Sequence, residues 1–235
     1  MKDFSLVATG NIKLLVKESN IKFSDDVNNE IEKIWNKLSK QNNSLFDGIS
    51  PIVLNIKNQI NTTLVECTFI NYKTIIADRL NPTLNININQ IGVSGVLILN
   101  DDTLVFGQRS NSLTEYPSML ELIPSGNLDM KDTKNGQIDY ISKLKKEFEE
   151  ETGISDNIIN SIQPLCLVKD HINRTFDVCC KLHIDKNSSE FLNLFYSNDE
   201  YQKILLIPFD DLDSFLSKND AKLVPTSKAI LKNLC

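Results

Sequence analysis

Arginine is scarce. Of the 25 basic residues only Arg79, Arg109 and Arg174 carry a guanidinium, which limits two-pronged grips on phosphate. Positive charge is in deficit overall: the formal net charge is −6 and the pI about 5.0, so no global basic field draws nucleic acid or anionic lipid. The five cysteines, Cys67, Cys166, Cys179, Cys180 and Cys235, show no CxxC spacing, which argues against a zinc site or a disulfide framework. Adjacent Cys179 and Cys180 are expected on opposite faces of a strand, as small buried hydrophobes. The opening MKDFSLVATGNIKLLVKESN lacks a secretory apolar core, and no run reaches the roughly 18–20 apolar residues of a membrane span. A cytoplasmic protein without membrane or nucleic-acid partners is the expectation. Glycine-rich loops of the P-loop and Rossmann kinds are also missing.

What remains is an ordinary globular composition, 41% hydrophobic and 24% charged over 235 residues, enough for one large or two small domains. Residues 1–90 read as a smaller α+β unit. Ser24 caps a helix from Asp25 to about Lys40, with Asp25 and Asp26 in its first turn and an apolar face of Val27, Ile31, Ile34, Trp35 and Leu38. Strands are expected at Pro51–Lys57 and Thr62–Phe69, then a short helix within Asn71–Leu80. Residues 91–235 form the second unit. A hairpin joins Val93–Leu99 to Leu104–Arg109, short extended pieces fill Glu115–Ile123, and a polar loop spans Asp129–Gly136. A helix runs from about Ile138 to Thr152, stopped by Gly153. Strands at Pro164–Val168, Phe176–Ile184 and Lys203–Ile207 and helices at Asp210–Leu216 and Thr226–Leu234 complete a mixed sheet flanked by helices, an α/β (α+β) sandwich.

The helix ending at Gly153 holds the chemistry. At about 100° per residue Glu147, Glu150 and Glu151 share one stripe, while Ile141, Leu144 and Phe148 form a separate, core-facing stripe and Glu149 joins neither. A charged run on a helix is commonly just a solvated face. Yet like charges at i, i+3 and i+4 repel, and a divalent cation reverses that penalty. Such oxygen donors suit Mg²⁺, which keeps waters and phosphate oxygens in its shell.

Lys146-Glu147-Phe148-Glu149-Glu150-Glu151-Thr152-Gly153-Ile154 resembles the second half of the Nudix box, Arg-Glu-apolar-x-Glu-Glu-x-Gly-apolar, with Lys146 in place of arginine. Pro124-Ser125-Gly126-Asn127-Leu128-Asp129 resembles its opening, although the spacing from Gly126 to Glu147 is too long and Met130–Asn135 reads as an insertion. The first glutamate of the box has no counterpart: Ile138 stands there, between Gln137 and Asp139. The hairpin ending at Arg109, Tyr116-Pro117, and Asp199-Glu200 followed by Ile204–Pro208 are similar to the family's flanks, so the resemblance covers about residues 90–235.

The resemblance implies a Nudix-type α/β/α sandwich and a diphosphatase. It would split a nucleoside diphosphate linked to a moiety X into nucleoside monophosphate and phospho-X, with Mg²⁺ (Mn²⁺ as alternative) held by Glu147, Glu150 and Glu151. Glu147 is also a candidate base. Glu200 is a candidate fourth metal ligand or base, although a solvated carboxylate is its plainer reading. Gly126, Arg109 and Arg79 are candidate contacts to the diphosphate or base, with surface ion pairs the plain alternative for the arginines. Lys146 cannot reproduce the planar contacts of arginine. A catalytically weak or inactive nucleotide-sugar binding or regulatory module on the same fold is therefore the alternative. The stretches Ile34–Leu38 and Ser44–Gly48, with Tyr72, Lys73 and Arg79, are weakly similar to what precedes the Nudix domain in animal UDP-glucose/UDP-galactose diphosphatases, which points to UDP-sugars. A homodimer is compatible with this reading. His183 is expected to pack in its strand, His171 to sit in a polar turn, and Trp35 and Phe46 to belong to the core.

Overall fold

The computed structural model describes residues 4–43, 45–113, 116–196, 199–232 and 234. Ser44, the start of the Glu115–Ile123 stretch, Asn233 and Cys235 lie outside them. Two short strands open the chain, β1 (Phe4–Thr9) and β2 (Ile12–Val16). Helix α1 (Asp25–Gln41) follows, and the Ser24 hydroxyl accepts from the Val27 N–H as its cap. Then come the hairpin β3 (Ile49–Gln59) and β4 (Thr62–Asn71) and helix α2 (Tyr72–Leu80).

The hub of the architecture is β5 (Gln90–Leu99), buried along its whole length. One edge pairs continuously and in parallel with β12 (Thr175–Ile184). The other edge is shared out. Gln90 meets β3, Gly92–Ser94 meet β8 (Ser125–Asn127), and Ile98 meets β6 (Thr103–Arg109). Strands that diverge from one hub leave a wedge between them, and a cleft of about 650 Å³ opens there. Beyond β6 lie β7 (Leu120–Leu122) and β13 (Tyr201–Pro208).

The main path of the 13-stranded sheet runs β1-β11-β12-β5-β3-β4-β2-β10-β9, with β9 at Thr133–Lys134, β10 at Gln137–Ile138 and β11 at Ile159–Asp170. β1 and β2 are halves of one segment bent at Gly10, whose φ of 81° favours glycine. They pair with β11 and β4 respectively, so the path from β1 to β2 returns on itself. Inside, Ile12, Leu14, Val65 and Cys67 share one core with Ile91, Val93, Val178 and Cys180. Helix α3 (Tyr140–Thr152) adds Leu144 and Phe148 to that core, and the Tyr140 hydroxyl donates to the Ile12 carbonyl at 2.8 Å. Residues from both sides of position 90 thus surround the glutamate helix.

A second core lies on the opposite face of β5, where Val96 and Ile98 pack with Cys166, Cys179 and the closing helices α5 (Leu212–Asn219) and α6 (Pro225–Leu231). Cys179 and Cys180 fall in different cores, as their adjacency in a strand predicts. A buried ion pair ties α2 to the turn before β12: Arg174 Nη1 stands 3.0 Å from Asp78 Oδ2, and Asp78 also accepts from the N–H groups of Asn87 and Ile88.

Several expectations need correction. The first two strands and helix α4 (Ser188–Leu194) were not expected. The polar loop after Asp129 contains a 3-10 turn and the β9/β10 pair, and α3 begins at Tyr140 because Asp139 caps it, its carboxylate accepting from the Ser142 N–H. His183 faces solvent between buried Leu182 and Ile184. Phe46 is 81% exposed, and Trp35 is half-buried, edge-on to Tyr72. No helix among the described residues is long and apolar enough to cross a membrane.

Candidate functional site

Helix α3 presents its glutamates at three depths. Glu151 is 1% exposed and accepts from the Ser125 N–H at 2.9 Å. Glu147 is half-buried, 2.5 Å from Lys143 Nζ, one turn earlier on the helix. Glu150 is exposed and lies 3.1 Å from Lys146 Nζ. Glu149 points away, as its phase predicts, and takes the Asp156 N–H at 2.9 Å. Gly153 ends the helix in the left-handed region, with φ 71°.

Strand β8 crosses this face closely. A Cβ built at Gly126 would stand 2.4 Å from Glu147 Cδ and Oε1. Glycine at 126 is thus the condition for Glu147 and β8 to occupy their places, a closer fit than a general loop role would need.

Facing α3 is a second acidic group that the sequence reading reached only in part. Arg109 is ion-paired to Glu121 and stands 3.9 Å from Glu200 Oε1. The Tyr201 hydroxyl donates to Glu121 Oε2 at 3.1 Å. Glu121 and Tyr201 escaped the sequence reading. One signal was available, a glycine inside strand β6: a Cβ at Gly107 would meet the Tyr201 ring at 2.3 Å. Arg79 donates to Gln90 Oε1 at 2.8 Å and to Thr175 Oγ1 at 3.0 Å. Arg79, Arg109, Gly126 and Glu200 all line the cleft.

The carboxylates feel one another. Burial pushes the Glu151 carboxyl well above its ordinary value, opposed by the Ser125 N–H and reinforced by Glu200, Glu121 and Glu147. Glu147 is raised by burial, against the pull of Lys143, with Glu150 adding to the rise. Glu200 is raised by burial and then by Glu121, against Arg109. For Arg109, burial opposes the charge, but Glu121 and then Glu200 outweigh it and hold the guanidinium firmly protonated.

Hard, mutually repelling oxygen donors are the chemistry that a divalent cation such as Mg²⁺ or Mn²⁺ needs, so the donor set fits one. Their positions are not drawn together: among the described residues no three Asp, Glu, His or Cys side chains form a group that could hold a metal ion. Lys143 and Lys146 supply the compensating charge instead. Of the expected residues, Gly126 and Glu147 touch, Arg109 and Glu200 meet at 3.9 Å, and Arg79 lies apart on the wall formed by α2.

No protein-family model matches the chain, and no curated protein does. Solved structures do. Tm1382, a candidate Nudix hydrolase, is 15% identical over 86% of this chain and 96% of its own, with a TM-score of 0.52. DR0079 from Deinococcus radiodurans is 14% identical, covering 78% of this chain and 99% of its own, at a TM-score of 0.48. A bifunctional NMN adenylyltransferase/ADP ribose pyrophosphatase from Francisella tularensis, complexed with AMP and a Mn ion, is 16% identical over 67% of this chain and 44% of its own, at 0.47. At such identities the likeness is one of fold, and the match to Tm1382 carries it. The chain has a mixed α/β fold of the kind found in Nudix hydrolases.

Proposed function

We propose that the cleft hydrolyses a nucleoside diphosphate linked to a moiety X, giving nucleoside monophosphate and phospho-X. The observation that supports this most directly is the approach of two acidic groups at the edge of the cleft: Glu121 and Glu200 line it with Arg109 between them, and the α3 glutamates Glu147, Glu150 and Glu151 lie close enough to interact with them. Glu147, Glu150, Glu151 and Glu200 would hold Mg²⁺ or Mn²⁺. Bound there, the ion would supply charge neutralisation at phosphate and a more acidic water.

The chain's own groups do the rest. Arg109 and Arg79 would meet the diphosphate oxygens from two sides of the cleft, and Gly126 lets β8 lie against Glu147 at its edge. A carboxylate left outside the ion's shell would take a proton from water, and Glu147 and Glu200 are the candidates for that role. In this reading residues 1–90 and 91–235 are two units of one site, since Tyr72, Ile76 and Arg79 line the same cleft as Arg109 and Glu200. A UDP-sugar is the substrate that the N-terminal similarity favours.

The Lys143–Glu147 pair supports a second reading, a nucleotide-sugar binder in which lysine permanently occupies the acid. One experiment separates them. Purified protein with Mg²⁺ is offered a panel of nucleoside diphosphate sugars, dinucleotides and nucleoside triphosphates, and the products are identified. Release of nucleoside monophosphate and phospho-X from one class is expected. Cleavage of none, with thermal stabilisation by one of them, would select the binder.

A further inference from the structure

Strand β5 divides its cleft-side face in two. Toward its end, Val96 and Ile98 are apolar and lie beneath α5 and α6. Toward its start the same face carries Gln90, Gly92 and Ser94, and this half floors the cleft. The neighbours match it in register: Thr175 and Asp177 of β12 lie beside Gln90 and Gly92, and Asn127 of β8 lies across from Gly92. A sheet face inside a fold is ordinarily apolar, because unpaired polar groups there cost free energy. Six polar or small residues in one strip therefore ask for a polar occupant.

Asp177 lies at the centre of the strip. Its Oδ1 accepts from the Ser94 hydroxyl at 3.1 Å. No cation pairs with it among the described residues, and Oδ2 takes no hydrogen bond from them. Its neighbour Gly92 leaves the approach open: a Cβ there would stand 3.2 Å from Asp177 Oδ1. Around it Gln90 Nε2 donates to Asn127 Oδ1 at 3.3 Å, and Arg79 is held by Gln90 and Thr175. The strip thus offers one open carboxylate oxygen beside amide and hydroxyl groups. That is the pattern a ring bearing several hydroxyls can satisfy, each O–H both giving and taking a hydrogen bond.

We propose that this strip is the subsite for a hydroxyl-rich, sugar-like moiety X, and that Asp177 determines specificity for it. The proposal rests on the hydrolase reading for which substrate carries X, but binding at the strip can be read without turnover. A site built to pair a hydroxyl rejects the analogue that lacks it, because its own polar groups are then stranded. Burial pushes the Asp177 carboxyl up to about 7, with Glu121 and Asp170 adding to the rise against the Ser94 bond. The acid is thus already uncomfortable before X arrives.

The test uses the full chain and two probes, a UDP-hexose and a UDP alkyl ester lacking the sugar hydroxyls, titrated by calorimetry without divalent cation. The intact protein should prefer the hexose by about tenfold or more. Asp177→Ala should erase that preference while keeping its affinity for the alkyl ester, and Ser94→Ala should weaken it partially. If hydrolysis is observed once Mg²⁺ is added, the Asp177→Ala loss should fall on KM for the hexose with kcat little changed. A thermal midpoint at or above that of the intact protein excludes misfolding. Absence of a preference in the intact protein, or its survival in Asp177→Ala, overturns the proposal. Preference in the metal-free titration, with no cleavage of either probe or of the wider panel once Mg²⁺ is added, upholds the subsite and overturns the hydrolase reading alone.

Discussion

Acid is handled in two opposite ways within one cleft. At the mouth, each carboxylate has a compensating neighbour: Lys143 for Glu147, Lys146 for Glu150, the Ser125 N–H for Glu151, and Arg109 for Glu121 and Glu200. On the floor, the Asp177 carboxylate has only the Ser94 hydroxyl as partner among the described residues. Compensation holds a crowd of acids in place, although burial still lifts Glu147, Glu151 and Glu200 above the ordinary carboxylate range. Its lack leaves the floor acid dependent on whatever enters. Charge at the mouth is therefore expected to serve turnover, and charge on the floor to cost stability in the empty protein.

The sharpest way to break that contrast is Glu151→Gln. The amide oxygen can still accept from Ser125, so the fold should persist while turnover falls by about 10²-fold or more. An unchanged rate in a steady-state assay would remove Glu151 from the chemistry.

A middle-sized effect of opposite sign is expected from Asp177→Asn. The carboxyl ionises near 3.8 when unperturbed and at about 7 in the fold. Between those values the folded chain holds a proton that the unfolded chain has lost, so stability falls as pH rises across this window and the penalty is complete above 7. The amide removes the penalty. Thermal midpoints should rise by several degrees at pH 8, by an amount on the scale of about 1–2 kcal/mol, and change little at pH 4. Equal shifts at both pH values would mean that the floor acid is compensated after all.

The smallest effect is expected at Lys146, where the pair with Glu150 is solvated and spaced i, i+4. Lys146→Ala should cost no more than about 0.5 kcal/mol in chemical denaturation. A larger loss would show that this lysine, which departs from the arginine of the resembled box, carries more structural weight than its exposure suggests.

The mouth was far more legible in the sequence than the floor. Glu147, Glu150 and Glu151 lie within five consecutive residues, so helical period alone places them together, and Gly153 marks where the period stops. Glu121 and Tyr201 meet across 80 residues, and no local pattern encodes such a contact. Asp177 left a trace, a lone acid in the otherwise apolar Phe176–Cys180 run, of the sort that betrays either a partner or a site. Strand β2 left one too, in the alternation of Ile12 and Leu14 with lysine at 13. His183 went the other way because strand parity outranks the apolar company it keeps: Leu182 and Ile184 take the inward positions.

The bent segment at Gly10 bears on how the molecule is made. Phe4 pairs with Asp170, so strand β1 has a partner synthesised more than 160 residues later. At roughly 5–20 residues per second it waits about ten to thirty seconds with an open edge. Pairings that span such distances are also slow to form once both strands exist. During that interval the newborn chain is exposed to sticking to its neighbours, and its yield in a cell should depend on translation speed and on chaperones more than its finished stability would suggest.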